Sequence, residues 1–439
     1  MSTTARVLIV EQGGPRSLSD KLDASGYRSL RAVSESEALI VAGVEQPDVV
    51  IVNGAASDRN FTDLPRKLKD KPDSARIPVI LITGADQEAL ARALIGADDH
   101  LRHPFLEVEL MTRLDSLVRL HTMQEELTRR IETSARYGVA AVSAVVPPEA
   151  IADARIMIVG ADPEPIGALC AVLGEMARLS VHNHTYDALR HLGQEDFDCV
   201  VLAVGRQSED YAALSDDMRA NSRLFNTPIL AVVDEAAGTT TEAAFGHGAN
   251  DALTVPWDAD DLWQRALTLV KQQRYRAAMQ SVYREARHFA TSDSLTGLYN
   301  HGFLHAHLQV QIDAAHRWDR QLSVGYFDIA DMAGLNRRFG YVAGDSLLRQ
   351  VGGLIGTLVR GEDLPARIAG EEFCVVQPDT PPAAARVALE RIAGVVDNTD
   401  FALSGLAEPA RIHLQIGSAA LAPGDGAAEL LARARAQLR

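Results

Sequence analysis

At 439 residues the chain is too long for one ordinary core, and usual domain sizes make two to four domains the expectation, with three fitting best. Its 47% hydrophobic and 23% charged residues exclude a disordered or fibrous protein, and a formal charge of -16 argues against general nucleic-acid binding, which needs a concentrated basic face. An anionic ligand must then be held by a local arginine cluster. Cys170, Cys199 and Cys374 lie far apart in apolar stretches, so they form neither a disulfide framework nor a metal-spaced set. The N-terminus turns polar at Glu11 and no later segment runs roughly 18 apolar residues, which predicts a soluble cytoplasmic protein with no membrane span.

In chain order, the first half reads twice. Arg6-Val-Leu-Ile-Val10 returns as Arg155-Ile-Met-Ile-Val159, and Asp48-Val-Val-Ile-Val52 returns as Asp198-Cys-Val-Val-Leu202. Ile77-Pro-Val-Ile-Leu-Ile82 matches Thr227-Pro-Ile-Leu-Ala-Val232, and Gly96-Ala-Asp-Asp99 matches Gly248-Ala-Asn-Asp251. Short β-branched runs separated by helical patterns such as 34–44 predict a doubly wound parallel sheet, duplicated, with functional residues at the carboxyl ends of the strands. Each unit closes in a long helix, 107–136 in the first and 258–290 in the second, the latter a rigid arm with no breaker. Small residues ending in Pro147-Pro148 mark a linker between them. The expected division is 1–138, a linker 139–153, 154–275, a helical linker 276–292, and a third domain 293–439.

The repeated pattern resembles the response-regulator receiver domain, whose phosphorylation needs an acidic pair for Mg²⁺, a nucleophilic aspartate, and the lysine of a Lys-Pro pair. In the first unit these positions hold Glu11-Gln12, Asn53 and His103, with Thr83 retained; in the second they hold Gly160-Ala161, Ala203, Val233 and Val255. Neither Asn53 nor Ala203 can form an acyl phosphate, so both receivers read as degenerate. Glu11 and Asp58 read as ordinary surface acids rather than a metal site.

The third domain resembles the GGDEF domain of diguanylate cyclases, an α+β nucleotidyl-cyclase-like fold, through Asp293-Ser-Leu-Thr-Gly-Leu-Tyr-Asn300, Tyr326-Phe-Asp-Ile-Ala330 and Arg367-Ile-Ala-Gly-Glu-Glu-Phe373. With two receivers in front, the chain resembles the PleD type of response regulator, and in its degeneracy the non-catalytic members of that type. The resemblance implies that Asp328 and Glu371 match metal ligands with Glu372 beside them, and that Asn336 and Asp345 match the readers of guanine. Against catalysis stand Ala333 at the family's phosphate-contacting lysine, Ala330 at an aspartate, and Ala369 at the first hairpin glycine. The sequence also ends at Leu438-Arg439, so the family's closing Lys and Gly-Arg-Asn segment has no counterpart. Losing a preorganised cation from phosphoryl transfer raises the barrier by several kcal/mol, on the order of 3. No catalytic residue, phosphoacceptor or required metal is therefore expected, while room is left for residual Mg²⁺ or GTP binding.

Arg360-Gly-Glu-Asp363 lies five residues before the hairpin signature, where the family carries its RxxD product-binding site, and Arg391 matches the partner arginine on the helix expected over 383–396. An arginine can fork onto guanine O6 and N7 while an aspartate accepts from its N1 and N2 hydrogens. The expected ligand is cyclic di-GMP. The resemblance implies an effector or adaptor for other regulatory proteins, a homodimer, and a place in cell-cycle control, regulated proteolysis or the cell pole. The alternative is a weak diguanylate cyclase with product inhibition.

Overall fold

The computed structural model describes residues 5–11, 17–54, 61, 63–83, 96–102, 105, 107–138, 153–175, 177–205, 208–221, 223–238, 240–285, 291–403 and 409–439. The expected breaks near 139–152 and 286–290, and the positions Gln12, Asp58 and His103, lie outside these residues.

Runs of Val, Ile and Leu form parallel strands buried on both faces. In the first unit β1 (Arg6–Val10), β2 (Arg28–Ala32), β3 (Val49–Asn53), β4 (Val79–Thr83) and β5 (Asp99–Arg102) lie in the order β2-β1-β3-β4-β5. Helices α1 (Ser17–Ala24), α2 (Glu35–Glu45), α3 (Leu64–Lys69) and the long α4 (Glu107–Arg136) accompany them. The second unit repeats the plan with β6 (Ala154–Val159), β7 (Ala177–His182), β8 (Cys199–Val204), β9 (Ile229–Val233) and β10 (Asp251–Thr254) in the order β10-β9-β8-β6-β7. Its helices are α5 (Pro163–Leu173), α6 (Thr185–Leu192), α7 (Ser208–Ala220), α8 (Thr241–Gly246) and α9 (Ala259–Glu285). The two sheets thus have one topology, as the repeat requires.

The third unit changes architecture. Strands β11 (Leu322–Ile329), β12 (Leu364–Ala369), β13 (Glu372–Pro378) and β14 (Leu414–Ala420) form an antiparallel sheet in the order β12-β13-β11-β14. Helices α10 (His301–Trp318), α11 (Met332–Phe339), α12 (Tyr341–Leu358), α13 (Pro382–Asp397) and α14 (Ala427–Arg435) cover it. Alternate strand residues feed two cores: Phe327, Phe373 and Val375 pack with Val351 and Leu389, while Val324, Tyr326 and Val376 pack with Phe303, Leu308 and Leu430.

The arm expected over 258–290 is helical through Glu285, but it does not stand free. It packs along α4, and its Tyr275 enters the first unit's core. The contact has local pseudo-symmetry: Arg113 Nη1 bonds Asp99 at 2.6 Å in one unit and Arg265 Nη1 bonds Asp251 at 2.5 Å in the other, with Asp261 paired to both arginines. Gln272 Nε2 also donates to the Ser116 carbonyl at 2.8 Å.

Both preceding units hold the third. From α4, Glu126 receives Arg130 Nε at 2.6 Å and meets His307 Nε2 of α10 at 3.0 Å, with Gln311 donating to its other oxygen. Arg320, just beyond α10, reaches Asp48 at 2.6 Å and Glu125 at 2.5 Å. From the second unit, Asn226 Nδ2 donates to the Thr357 carbonyl at the end of α12 at 2.9 Å.

Candidate functional site

At the carboxyl end of the first sheet, Glu11 is buried and its two oxygens are engaged by Arg31 at 2.9 Å and Asn53 Nδ2 at 3.3 Å. A guanidinium thus sits on the carboxylate that would hold Mg²⁺. Thr83 Oγ1 is hydrogen-bonded to His100 Nε2 at 2.7 Å. At the corresponding end of the second sheet, a Cβ on Gly160 would lie 2.9 Å from Ala203 Cβ, so apolar atoms close the space a phosphoryl group would need. Val233 is buried behind it.

The hairpin of β12 and β13 closes through Gly370 and Glu371. Gly370 takes the left-handed conformation at φ 50°, so the turn's demand for glycine falls there and Ala369 stands exposed at the strand end. Arg367 ties the tip down, donating to the Gly370 carbonyl at 2.7 and 2.9 Å and to Asp293 at 3.0 Å. Asp328 lies directly opposite Glu372 across β11 and β13. Burial, then the charges of Glu371 and Glu372, raise Asp328 above the ordinary carboxylate range, and Arg435 pulls it back. Glu372 accepts from Tyr326 Oη at 3.0 Å and pairs with Arg435 Nη2 at 2.5 Å. Among the described residues no three His, Cys, Asp or Glu side chains converge as metal ligands. The donor types suit the divalent ions the family implies, but with Glu372 committed to Arg435 and Tyr326 the arrangement does not fit them.

Of the expected guanine readers, Asn336 on α11 is half-buried with Oδ1 lacking a hydrogen-bond partner, and Asp345 on α12 is exposed. Ala333 and Ala330 supply only methyl groups to this edge.

The RxxD turn joins α12 to β12. Arg360 N donates to Asp363 Oδ2 at 3.0 Å and Asp363 N returns to the Arg360 carbonyl at 3.2 Å, which closes the turn on itself. Asp363 is 3% exposed, and its Oδ1 is buried without a partner. Burial, with Glu362 beside it, pushes its carboxyl up to about 6. The aspartate therefore faces inward rather than toward solvent. Arg391 on α13 donates from Nη2 to the Leu358 carbonyl at 2.9 Å, and its Nε has no partner. Burial and neighbouring Arg360 lower its pKa. Arg360, Asp363 and Arg391 are brought together as expected.

Residues that the sequence reading passed over complete this surface. Arg119 of α4 lies 3.6 Å from Glu362 with its Nε unpartnered, and Arg276 of α9 is buried nearby, its pKa lowered to about 10 by burial and by Arg119. Arg130 binds the Glu362 and Asp363 carbonyls at 2.9 and 2.8 Å. Gly361 must be glycine, since a Cβ there would lie 2.5 Å from Met123 Cε and 3.1 Å from Arg276 Cγ. Phe225 of the second unit covers the Arg391 guanidinium at 4.3 Å. The signal available in sequence was only a set of isolated arginines, each on a helix assigned to another domain.

Comparison with known proteins accounts for this architecture. Residues 290–439 match the family described as diguanylate cyclase, GGDEF domain. The chain is 30% identical to response regulator PleD of Caulobacter vibrioides, over 98% of this chain and 95% of that one. It is 32% identical to diguanylate cyclase DgcP of Pseudomonas aeruginosa over 36% of this chain and 23% of that protein. The solved GGDEF domain of DgcB from Caulobacter crescentus, in complex with c-di-GMP, is 27% identical and covers 34% of this chain and 86% of its own, with a TM-score of 0.33. Two parallel receiver-type sheets followed by an antiparallel GGDEF sheet, with identity running the full length, make this chain a member of the PleD-like response regulators with a GGDEF domain.

Proposed function

We propose that the protein is a non-catalytic cyclic di-GMP effector, binding the dinucleotide at Arg360, Asp363 and Arg391 and presenting partner-docking surfaces to other regulatory proteins. The observation that carries this reading is an imbalance around the RxxD turn. Arg119, Arg276, Arg360 and Arg391 gather about Glu362 and Asp363, and the buried Nε atoms of Arg119 and Arg391 have no hydrogen-bond partner. Guanidinium groups held without their full complement of acceptors suit an anion with planar, hydrogen-bonding bases. In this the chain resembles PopA, a non-catalytic relative of PleD, and the same resemblance supports an adaptor at the cell pole in regulated proteolysis, working as a homodimer. No metal is needed for this role.

A weak diguanylate cyclase is the second reading, favoured by the persistence of Asp328, Glu371 and Glu372 at the hairpin edge. Calorimetric titration with cyclic di-GMP should give a saturable isotherm for the wild type and lose it in Arg360→Ala. Equal, negligible binding by both would reject the effector reading. Incubation with GTP and Mg²⁺ decides the second, because dinucleotide accumulating above a Glu371→Ala control would establish turnover.

A further inference from the structure

Three carboxylates on one edge of a sheet need a cation. Asp328 and Glu372 are cross-strand partners and Glu371 occupies the adjoining turn. Like charges directly opposite weaken a strand pair. Divalent ions would relieve that repulsion in a competent phosphoryl-transfer site. This chain brings a different cation: the last turn of α14 places Arg435 Nη2 2.5 Å from Glu372 Oε1, while Glu372 Oε2 receives the Tyr326 hydroxyl at 3.0 Å. Both oxygens of Glu372 are thereby occupied by donors from the protein. The charge on Arg435 also reaches Asp328.

We propose that Arg435 is a resident counter-cation, its guanidinium taking the position between the hairpin carboxylates that a divalent ion would occupy, so that metal entry competes with the Arg435–Glu372 pair. The two cations are not equivalent. A guanidinium spreads one positive charge over a planar fork of donors, with no open coordination position. It can neutralise a carboxylate but cannot act as a Lewis acid on a phosphoryl oxygen or acidify a bound hydroxyl. The hairpin is thus kept folded and partly neutral without acquiring the means of catalysis. This deepens the reading of a silent hairpin site and does not depend on the RxxD turn.

The Arg435 side chain is 62% exposed, so solvent screens the pair and its removal should change metal affinity by several-fold. The test is a titration of the full chain with Mn²⁺, following the free ion by electron paramagnetic resonance. Arg435→Ala should bind Mn²⁺ about three- to tenfold more tightly than the wild type, and adding Glu372→Gln should return the affinity to the wild-type level. Arg435→Gln, which keeps the length of the side chain without its charge, should behave like the alanine variant and guards against a packing defect in it. Equal Mn²⁺ affinity in wild type and both neutral variants overturns the proposal. Cyclic di-GMP affinity, measured on the same samples, should not change. Its absence in the wild type would reject the effector reading while leaving the result at Arg435 standing.

Discussion

Glu126 shows how much a single buried side chain is asked to do here. It is fully buried, and burial alone would raise its pKa; His307 and Arg130 more than offset this and hold it at about 2, against an ordinary value of 4.5. A carboxylate whose pKa is depressed by folding stabilises the fold above its unfolded pKa, and that stability drains away as pH falls through the folded value. The docking of α4 on α10 should therefore weaken between about pH 4.5 and 2. Glu126→Gln should flatten that portion of the curve and lower stability near neutrality by about 3 kcal/mol, because Arg130 keeps its burial and loses its charge partner. Thermal melts across this pH range check both statements; a variant with the wild-type slope would refute them. Nothing in the sequence announced this site. Glu126 and His307 are 181 residues apart, and each looks like an ordinary polar position on an amphipathic helix.

Among elements, the α12–β12 turn and the second unit's segment around Phe225 meet face to face. Phe225 lies over Arg391 and packs against the GGDEF core, while Asn226 satisfies the Thr357 and Val359 carbonyls that the end of α12 leaves open. A base stacking on Arg391 would need the face that Phe225 covers. Phe225→Ala should therefore tighten cyclic di-GMP binding about two- to fivefold, the range expected from removing one competing cation–π contact. Unchanged or weaker binding in the same calorimetric titration would count against that competition. The strands themselves were legible from sequence: 6–10, 49–53 and 79–83 are continuous apolar runs, and 154–159, 199–204 and 229–233 repeat them. The RxxD turn was legible for a different reason, its fixed distance from the hairpin. The inward turn of Asp363 was not, because it depends on Arg130 and Met123 of a helix assigned to another domain. Arg435 escaped notice because it was weighed against absent neighbours in sequence rather than against the strand it touches.

At the scale of the whole molecule, the three sheets are joined pairwise: α4 to α9, Arg320 to Asp48, and Asn226 to Thr357. Arg6 adds a stacking contact with Trp318 at 5.3 Å. These contacts predict that a protease site engineered into 139–152 and cut to completion will leave two fragments that co-elute on size exclusion at neutral pH. Separation of the fragments would show that the peptide connection, not the packing, holds the first unit in place. The arrangement is a closed loop of bodies rather than a string. In a string, one hinge frees everything beyond it. In a closed loop, releasing one side leaves the other two in tension, and no body swings until a second side gives way. A stimulus at any one face of this protein is thus filtered: small perturbations are absorbed by the remaining braces, and only those that undo two of them together change its shape.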